Sequence, residues 1–447
     1  MVYLFWKKLF FYLDYFIVFF IFNNHYMVKN YIIFLIGILP IIYFFLNRKK
    51  ENSKNDIEIH FNYLKEIKEV FKSEKIKEVI YILGNSGGDL DSIISSYMTS
   101  LGENINNNII CFDENNNPKI NKSTEKIYIP VINIKRGTYY ERLEGKYIFN
   151  KFNINDEDFF YINDYELSNE YIIKTNKKIS IILVDFSELE ESQNYLLNYV
   201  EKVIDHHLQN ISKFPNLKKR IIEYPIGSCM TLVLSHYFLN FFPEKIIPIQ
   251  FAITPILIDC ANFNKEYYGF KWDKFDLDIY NFIIKNTNLT SNDMTIYYNN
   301  IKNEMFNVEN NLKLGFDILL RKDTKKYIWG KYYIKFIVFT ISFENMYNYY
   351  KKEKMLELEK KFCYENIPKN SKCIVVCFTQ NDFKYSFYTP DYQINDLINR
   401  INKIGDNIIF NIQKDNNYSN YILFESKKGI TRKIIEPIFK KEFEKDE

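Results

Sequence analysis

Ile80-Tyr81-Ile82-Leu83-Gly84-Asn85-Ser86-Gly87-Gly88-Asp89-Leu90-Asp91-Ser92 decides the fold. Its first four residues are apolar and partly β-branched, which reads as a buried strand. Glycines then break the run and bring Asn85, Asp89 and Asp91 into one tight turn, ahead of an apolar stretch of helical character. Two carboxylates this close to the end of a buried strand are costly unless cations neutralise them. Hard divalent ions such as Mg²⁺ or Mn²⁺ take oxygen ligands of this kind. Asp also favours turns and helix caps, so the stretch taken alone fits an Asp-rich N-cap as well. The metal reading gains because three other segments repeat the pattern of an apolar run ending in acid or His.

Those segments are Ile179–Val184, ending in Asp185; Lys202–Ile204, ending in Asp205-His206-His207; and Ile247–Ile258, read as a strand running into Asp259. Ile127–Ile134 reads as a further strand. A turn at Pro225-Ile226-Gly227-Ser228 leads into an apolar helix, Cys229–Phe241, and Ile57–Lys75 carries apolar residues at helical spacing. Strands alternating with helices, each strand delivering polar residues at its C-terminal end, predict an open α/β sheet with its site at the carboxyl edge. The polar, Asn-rich stretch Asn286–Asn300 reads as a domain boundary. Beyond it Tyr327–Ile341, Cys373–Phe378 and Tyr421–Phe424 read as strands with charged helices such as Phe343–Phe362 between them. The expectation is a larger domain over residues 51–300 and a smaller α/β domain over 305–447.

A chain of 447 residues has room for two such cores. Apolar content of 47% and charged content of 26% are those of a globular protein. A net charge of only +3 gives no overall basic field, which argues against nucleic acid as a partner. Alanine occurs only at Ala252 and Ala261 while Asn, Lys, Ile, Tyr and Phe abound, a bias of codon usage more than of chemistry. The six cysteines form no C-x-x-C pair, and Cys229, Cys260 and Cys373 lie in apolar runs, so buried free thiols are expected.

Residues 1–50 stand apart. Leu9–Phe22 and Tyr31–Leu46 are strongly apolar, each somewhat shorter than the roughly 20 residues that span a bilayer. Lys7 and Lys8 precede the first run and Arg48-Lys49-Lys50 close the second. Basic residues on the outside of the pair favour a membrane-anchoring segment with the catalytic domains facing the cytoplasm. Import into an organelle lumen, with the first run as the signal, is the alternative.

The candidate ligands, in order, are Asn85, Asp89, Asp91, Asp185, His206 and Asp259. Such a mixed nitrogen and oxygen set suits two divalent ions sharing a carboxylate, the arrangement that activates water in phosphoryl chemistry. Only five histidines exist in the chain, so two in succession after an apolar strand and an Asp carry information.

On these residues the chain resembles the DHH phosphoesterase superfamily, in the subgroup with a DHHA2 domain. The likeness covers roughly residues 76–447. Its first motif is similar to Gly84–Ser92, its second to Leu183-Val184-Asp185, its third to Val203–His207 and its fourth to Ile256–Asp259. Asn85 stands where family II pyrophosphatases carry His, and this resembles the eukaryotic exopolyphosphatase and prune branch. Ile129–Glu144 (with Asn133, Arg142 and Glu144), Pro225–Thr231 and Ile258–Phe263 resemble that branch too. In the smaller domain, Leu320-Arg321-Lys322-Asp323-Thr324-Lys325 and Thr431-Arg432-Lys433 are similar to the two basic stretches of DHHA2, with Thr324 departing from the family's Tyr. The Gly-Gly-Gly-His stretch of the DHHA1 branch, which handles oligonucleotides, is missing.

The resemblance implies a metal-dependent exopolyphosphatase that releases terminal orthophosphate from inorganic polyphosphate, with two divalent cations, Mg²⁺ or Mn²⁺. Asn85, Asp89, Asp185 and Asp259 would hold one ion and Asp91, Asp185 and His206 the other. Asp205 would orient the imidazole beside it. Attack by activated water would be assisted by charge from His207, Arg142, Lys325, Arg432 and Lys433. A pyrophosphatase or short-chain polyphosphatase with the same metals is one alternative, and a membrane-tethered, prune-like interaction scaffold with a weak site is another. Oligomeric state is not legible in these patterns.

Overall fold

The structure, a computed structural model, describes residues 63–444 except 115–116, 208–213, 224, 244–245, 286, 288, 381–382, 390–398, 400–408, 415–420 and 428–431. The apolar runs before residue 50 lie outside the described residues. No helix among the described residues is long and apolar enough to cross a membrane. Of the helix expected from Ile57, the described part, residues 63–71, is helical and buries Tyr63, Leu64, Ile67, Val70 and Phe71.

The first sheet has six strands: β1 (Glu78–Leu83), β2 (Lys126–Ile132), β3 (Phe160–Tyr161), β4 (Lys178–Val184), β5 (Val200–Asp205) and β6 (Lys219–Ile222). Every pairing is parallel and the order is β3-β2-β1-β4-β5-β6. Parallel strands are buried on both faces, which is why these segments read as unbroken apolar runs. The order reverses between β1 and β4, and crevices for ligands open at such a reversal, outside the carboxyl ends of the strands.

Register then does the positioning. Leu83 pairs with Val131 on one side and with Leu183 on the other, and Leu183 pairs with Val203. Asn133, Asn85, Asp185 and Asp205 each follow a member of that row by two residues, so the sheet carries all four along one edge. Helices cover it: α1 (Leu90–Asn106), α2 (Leu143–Lys151), α3 (Cys229–Tyr237), α4 (Ile249–Asp259) and α5 (Lys274–Lys285).

One expectation changes here. Ile247–Ile258 is no strand: Ile249–Asp259 is the helix α4, with Pro255 inside it. Eight of its eleven residues are buried, and a run that is apolar on all sides shows neither helical nor strand periodicity. The polar stretch after Asn286 includes a helix, Ser291–Met305, started by a capping box between Thr290 and Asp293. It packs Met294, Tyr297 and Ile301 onto the core of the first sheet.

The second sheet holds β7 (Thr324–Trp329), β8 (Tyr332–Phe339), β9 (Lys372–Thr379), β10 (Lys384–Tyr388), β11 (Ile409–Lys414) and β12 (Tyr421–Ser426), in the order β11-β12-β10-β9-β8-β7. Only β8 and β9 run parallel. The run Tyr327–Ile341, expected as one strand, is a hairpin turning at Gly330. The expected helix Phe343–Phe362 is two helices, broken at Lys351, where φ is 72°. The second of these, α6 (Lys352–Tyr364), covers one face of the sheet, and α7 (Arg432–Phe443) covers the other with Ile435, Phe439 and Phe443. The cysteines also differ from expectation. Cys363 at the end of α6 and Cys373 on β9 are joined in a disulfide with Cα atoms 5.9 Å apart, while Cys111, Cys229, Cys260 and Cys377 are free.

One buried charge in this second region sets a pH dependence. Glu359 on α6 is 1% exposed, with Cys377 Sγ 3.8 Å from its Oε1 and no hydrogen-bond partner for Oε2. Burial pushes its pKa up to about 8. Because the folded value lies above the unfolded one, the stability it contributes is complete below the ordinary Glu range and lost as pH rises through about 8. Between those limits the loss is about 1.4 kcal/mol per pH unit. Urea unfolding of Glu359→Gln should lack this fall between pH 5 and pH 8, while the unaltered chain shows it.

Candidate metal centre

The turn after β1 is built by glycine. Gly88 has φ of +56°, and a Cβ there would stand 2.6 Å from Ile134 Cγ2, so the chain can reverse tightly only without a side chain. Asp89 then caps α1, its Oδ1 accepting the Ser92 N–H at 2.9 Å. Asn85 sits in the turn with its Oδ1 accepting the Gly87 N–H at 2.8 Å and its Nδ2 donating to Asp185 Oδ2 at 2.6 Å. In this arrangement Asn85 orients a carboxylate and keeps its own oxygen on the backbone.

Asp185 is the meeting point. It is 2% exposed and its backbone is left-handed, with φ of +64°. A non-glycine residue held there costs of order 1–3 kcal/mol, and such strain clusters at functional sites. Its Oδ2 accepts from Asn85 and, at 2.6 Å, from the Ser92 hydroxyl. Its Oδ1 faces His206 Nε2 at 3.1 Å.

Asp205, fully buried at the end of β5, organises both histidines. Its Oδ1 accepts the backbone N–H of His206 at 2.8 Å and of His207 at 3.2 Å, and lies 2.8 Å from His207 Nδ1. His206 Nδ1 lies 2.8 Å from the carbonyl oxygen of Ile226. A carbonyl only accepts, so Nδ1 carries a proton, and whenever the ring is neutral its lone pair is on Nε2. Nε2 faces two carboxylates, Asp185 Oδ1 and, at 3.7 Å, Asp91 Oδ2.

Asp91, in the first turn of α1, does two jobs. It accepts from Ser228 Oγ at 2.9 Å, Cys229 N at 2.7 Å and Met230 N at 3.0 Å, so it receives the N-terminus of α3. Burial, then the Asp185 charge, push its carboxyl above the usual range, and burial pushes Asp205 up as well. Acceptors crowded in this way lack one thing, a positive charge among them, and a divalent cation supplies it. The donor set fits: Asp185, His206 and His207 each bring a ligand atom within 4.8 Å of the others, with Asp91 alongside. Asp259 ends α4 outside that group of three, and its neighbour Cys260 packs against the Gly227 turn next to Ile226.

The basic residues converge from both sheets. Arg142, the N-cap of α2, donates through Nε to the Gly87 carbonyl at 2.8 Å and lies 3.5 Å from Glu144 and 4.0 Å from Asp323 Oδ1. Arg432, the first residue of α7, reaches the same Asp323 oxygen at 3.0 Å. Burial would raise the Asp323 pKa, yet Arg432, then Arg142, bring it below the usual range, with Lys325 on β7 adding to the effect. Lys433 follows in α7, and its side chain lies outside the described residues. Three partners in this geometry were not singled out from sequence: Ser92, Ser228 and Asp323. Asp323 lay within a quoted basic stretch, and its charge among three cations was the available signal.

No family model matches the chain. Among curated proteins it is 27% identical over 268 residues to a Schizosaccharomyces pombe protein described as "Putative exopolyphosphatase", covering 55% of this chain and 60% of that one. It is 25% identical over 193 residues to exopolyphosphatase PRUNE1 of Bos taurus, covering 42% and 38% of the two chains. The chain thus spans at most three fifths of these relatives' length. Its fold is similar to that of a Methanococcus jannaschii protein described as a "putative family II inorganic pyrophosphatase", with a TM-score of 0.52 and 14% identity, covering 81% of this chain and 99% of that one. These relatives and this fold, with Asn85, Asp185 and Asp205-His206-His207 gathered on one sheet edge, support the likeness of the chain to the DHH phosphoesterases, on their exopolyphosphatase and prune branch.

Proposed function

We propose that the chain is a phosphoric anhydride hydrolase, a metal-dependent exopolyphosphatase that releases terminal orthophosphate from inorganic polyphosphate. One observation carries this reading: Asp185, His206 and His207 each bring a ligand atom within 4.8 Å of the others, with Asp91 Oδ2 3.7 Å from His206 Nε2. Beside the loop that carries Asn85 stands a guanidinium cluster that fits phosphate. Relatives described as exopolyphosphatases support the reaction class.

Asp185, His206 and Asp91 would hold the cations, with Asp89, Asn85 and Asp259 the remaining candidates. Divalent cations there would supply charge neutralisation and an activated water. The chain's own residues do the rest. Asn85 and Ser92 fix the Asp185 carboxylate by holding one oxygen, which leaves the other aimed at the pocket. Ile226 selects the His206 tautomer with its lone pair on Nε2. Arg142 and Arg432, kept in place by Asp323, bind nonbridging phosphate oxygens and balance the charge of the leaving phosphate. Asp205 fixes the ring of His207, which adds charge on the same side when protonated.

Phosphate release by the full chain, measured with long polyphosphate, tripolyphosphate and pyrophosphate in Mg²⁺ or Mn²⁺, tests the assignment. Orthophosphate should appear from the first two and stop in EDTA. A strong preference for pyrophosphate would make the enzyme a pyrophosphatase, and no release from any of the three would overturn the hydrolase reading.

Asp185→Ala should lower turnover by more than the roughly 10–100-fold that loss of an outer-shell partner costs, with the fold retained by circular dichroism. Substantial activity in the folded variant would exclude Asp185 from the centre. Arg432→Ala should cost roughly 1.5–3 kcal/mol of phosphate binding, about one to two powers of ten in kcat/KM. Metal binding by that variant, read by Mn²⁺ titration, should stay as it is in the unaltered chain.

A further inference from the structure

Asp276 is the third residue of α5 and none of it is exposed. Its Oδ2 accepts the N–H of Asp273 at 2.9 Å, as a residue in that position does when it caps its own helix. The same oxygen accepts the Gly227 N–H at 2.9 Å, and Oδ1 accepts the Thr231 hydroxyl at 2.6 Å. Capping alone needs no burial, and a carboxylate is almost never fully buried without partners that require it. Here the partners are the two ends of one turn, residues 227 and 231.

Between and beside those anchor points the turn meets the metal centre. The Ile226 carbonyl takes the Nδ1 proton of His206, and Ser228, Cys229 and Met230 hold Asp91. Two carboxylates from different helices therefore grip one turn, Asp91 from α1 on the side of the centre and Asp276 from α5 behind it. The turn has no room to shift: a Cβ on Gly227 would stand 2.2 Å from the Lys271 carbonyl oxygen and 2.6 Å from Cys260 Sγ.

We propose that Asp276 is a positioning residue of this centre, holding the Gly227 and Thr231 ends of the turn so that the Ile226 carbonyl selects the Nδ1–H tautomer of His206. The inference rests on the reading of His206 as a metal ligand, since the selected tautomer is the one that leaves Nε2 open to a cation. Without the buried carboxylate the carbonyl drifts, and the neutral ring places its proton on Nε2 in part of the population. A proton on Nε2 pairs with Asp185 and closes the ligand position.

The test uses the full chain without metal, labelled with ¹⁵N at histidine, at a pH where His206 is neutral. In the unaltered protein the His206 nitrogens should report Nδ1 protonated and Nε2 bare. Asp276→Ala should shift them to a mixture. Asp276→Asn should keep the Nδ1–H form, because its amide oxygen accepts the two N–H groups and its amide nitrogen donates to the Thr231 oxygen. If Asp276→Ala does not fold, Thr231→Val removes one anchor only and should produce the shift in smaller measure. An unchanged Nδ1–H tautomer in the folded alanine variant, or in Thr231→Val where that variant is the one that folds, overturns the proposal. Titration with Mn²⁺ alone then separates the two readings. Asp276→Ala should bind about 10–100-fold more weakly than the unaltered chain, the range for loss of an outer-shell partner. A chain that shows the tautomer shift but binds no Mn²⁺ even unaltered removes the metal assignment and leaves the positioning role standing.

Discussion

The geometry of the centre depends on how Asp185 divides its two oxygens. Oδ2 is used up by Asn85 and Ser92, both from the loop and helix after β1, and Oδ1 is turned toward His206. Neither contact could form if β1 and β4 were not neighbours in level register, because Asn85 and Asp185 each lie two residues beyond a paired leucine. The left-handed backbone at Asp185 is the local cost of that division, since it turns the side chain from the strand direction into the crevice. The parallel sheet, with its interior strands buried on both faces, is stiff enough to sustain it.

From Asp185 the contacts spread in two directions. One passes through His206 to the Ile226 carbonyl and so to the turn that starts α3, held by Asp91 and Asp276. The other passes through Asn85 and the Gly87 backbone to Arg142, and from Arg142 to Asp323 and Arg432. Negative groups that a cation would join thus stand on one side of the Asn85 loop, with positive groups that a phosphate would join on the other. A polyanion bound by metals and guanidinium groups together would meet both. Asp323 keeps the two arginines close, with Glu144 beside Arg142.

The features visible in sequence were local ones. A β-branched apolar run followed within two residues by Asn, Asp or His needs only strand preference and burial to be recognised. On that basis Asn85, Asp185 and Asp205-His206-His207 were placed at strand ends, where the structure has them. The same logic misread Ile249–Asp259, because an apolar run buried on every side looks alike as helix or strand. It read the Asn-rich stretch Asn286–Asn300 as a domain boundary without seeing the helix Ser291–Met305 there. There the polar face is the solvated side of a helix whose Met294, Tyr297 and Ile301 face inward, and three buried positions in fifteen residues give a faint period.

The sequence by itself determined that apolar strands would deliver acids and histidines to one edge, since strand burial and polar termination are properties of neighbouring residues. Only the tertiary structure decided what each group does there. Asn85 donates to a carboxylate, Asp89 caps a helix, and Asp91 receives the start of α3 from 137 to 139 residues away. Asp276 holds a turn 45 to 49 residues back, and Asp323 joins arginines from two sheets. The pairing of Cys363 with Cys373 likewise follows from α6 lying on β9. A hydrogen bond or ion pair forms where packing brings two groups to about 3 Å. Packing between distant segments is set by the whole core, so no local pattern of residues announces it.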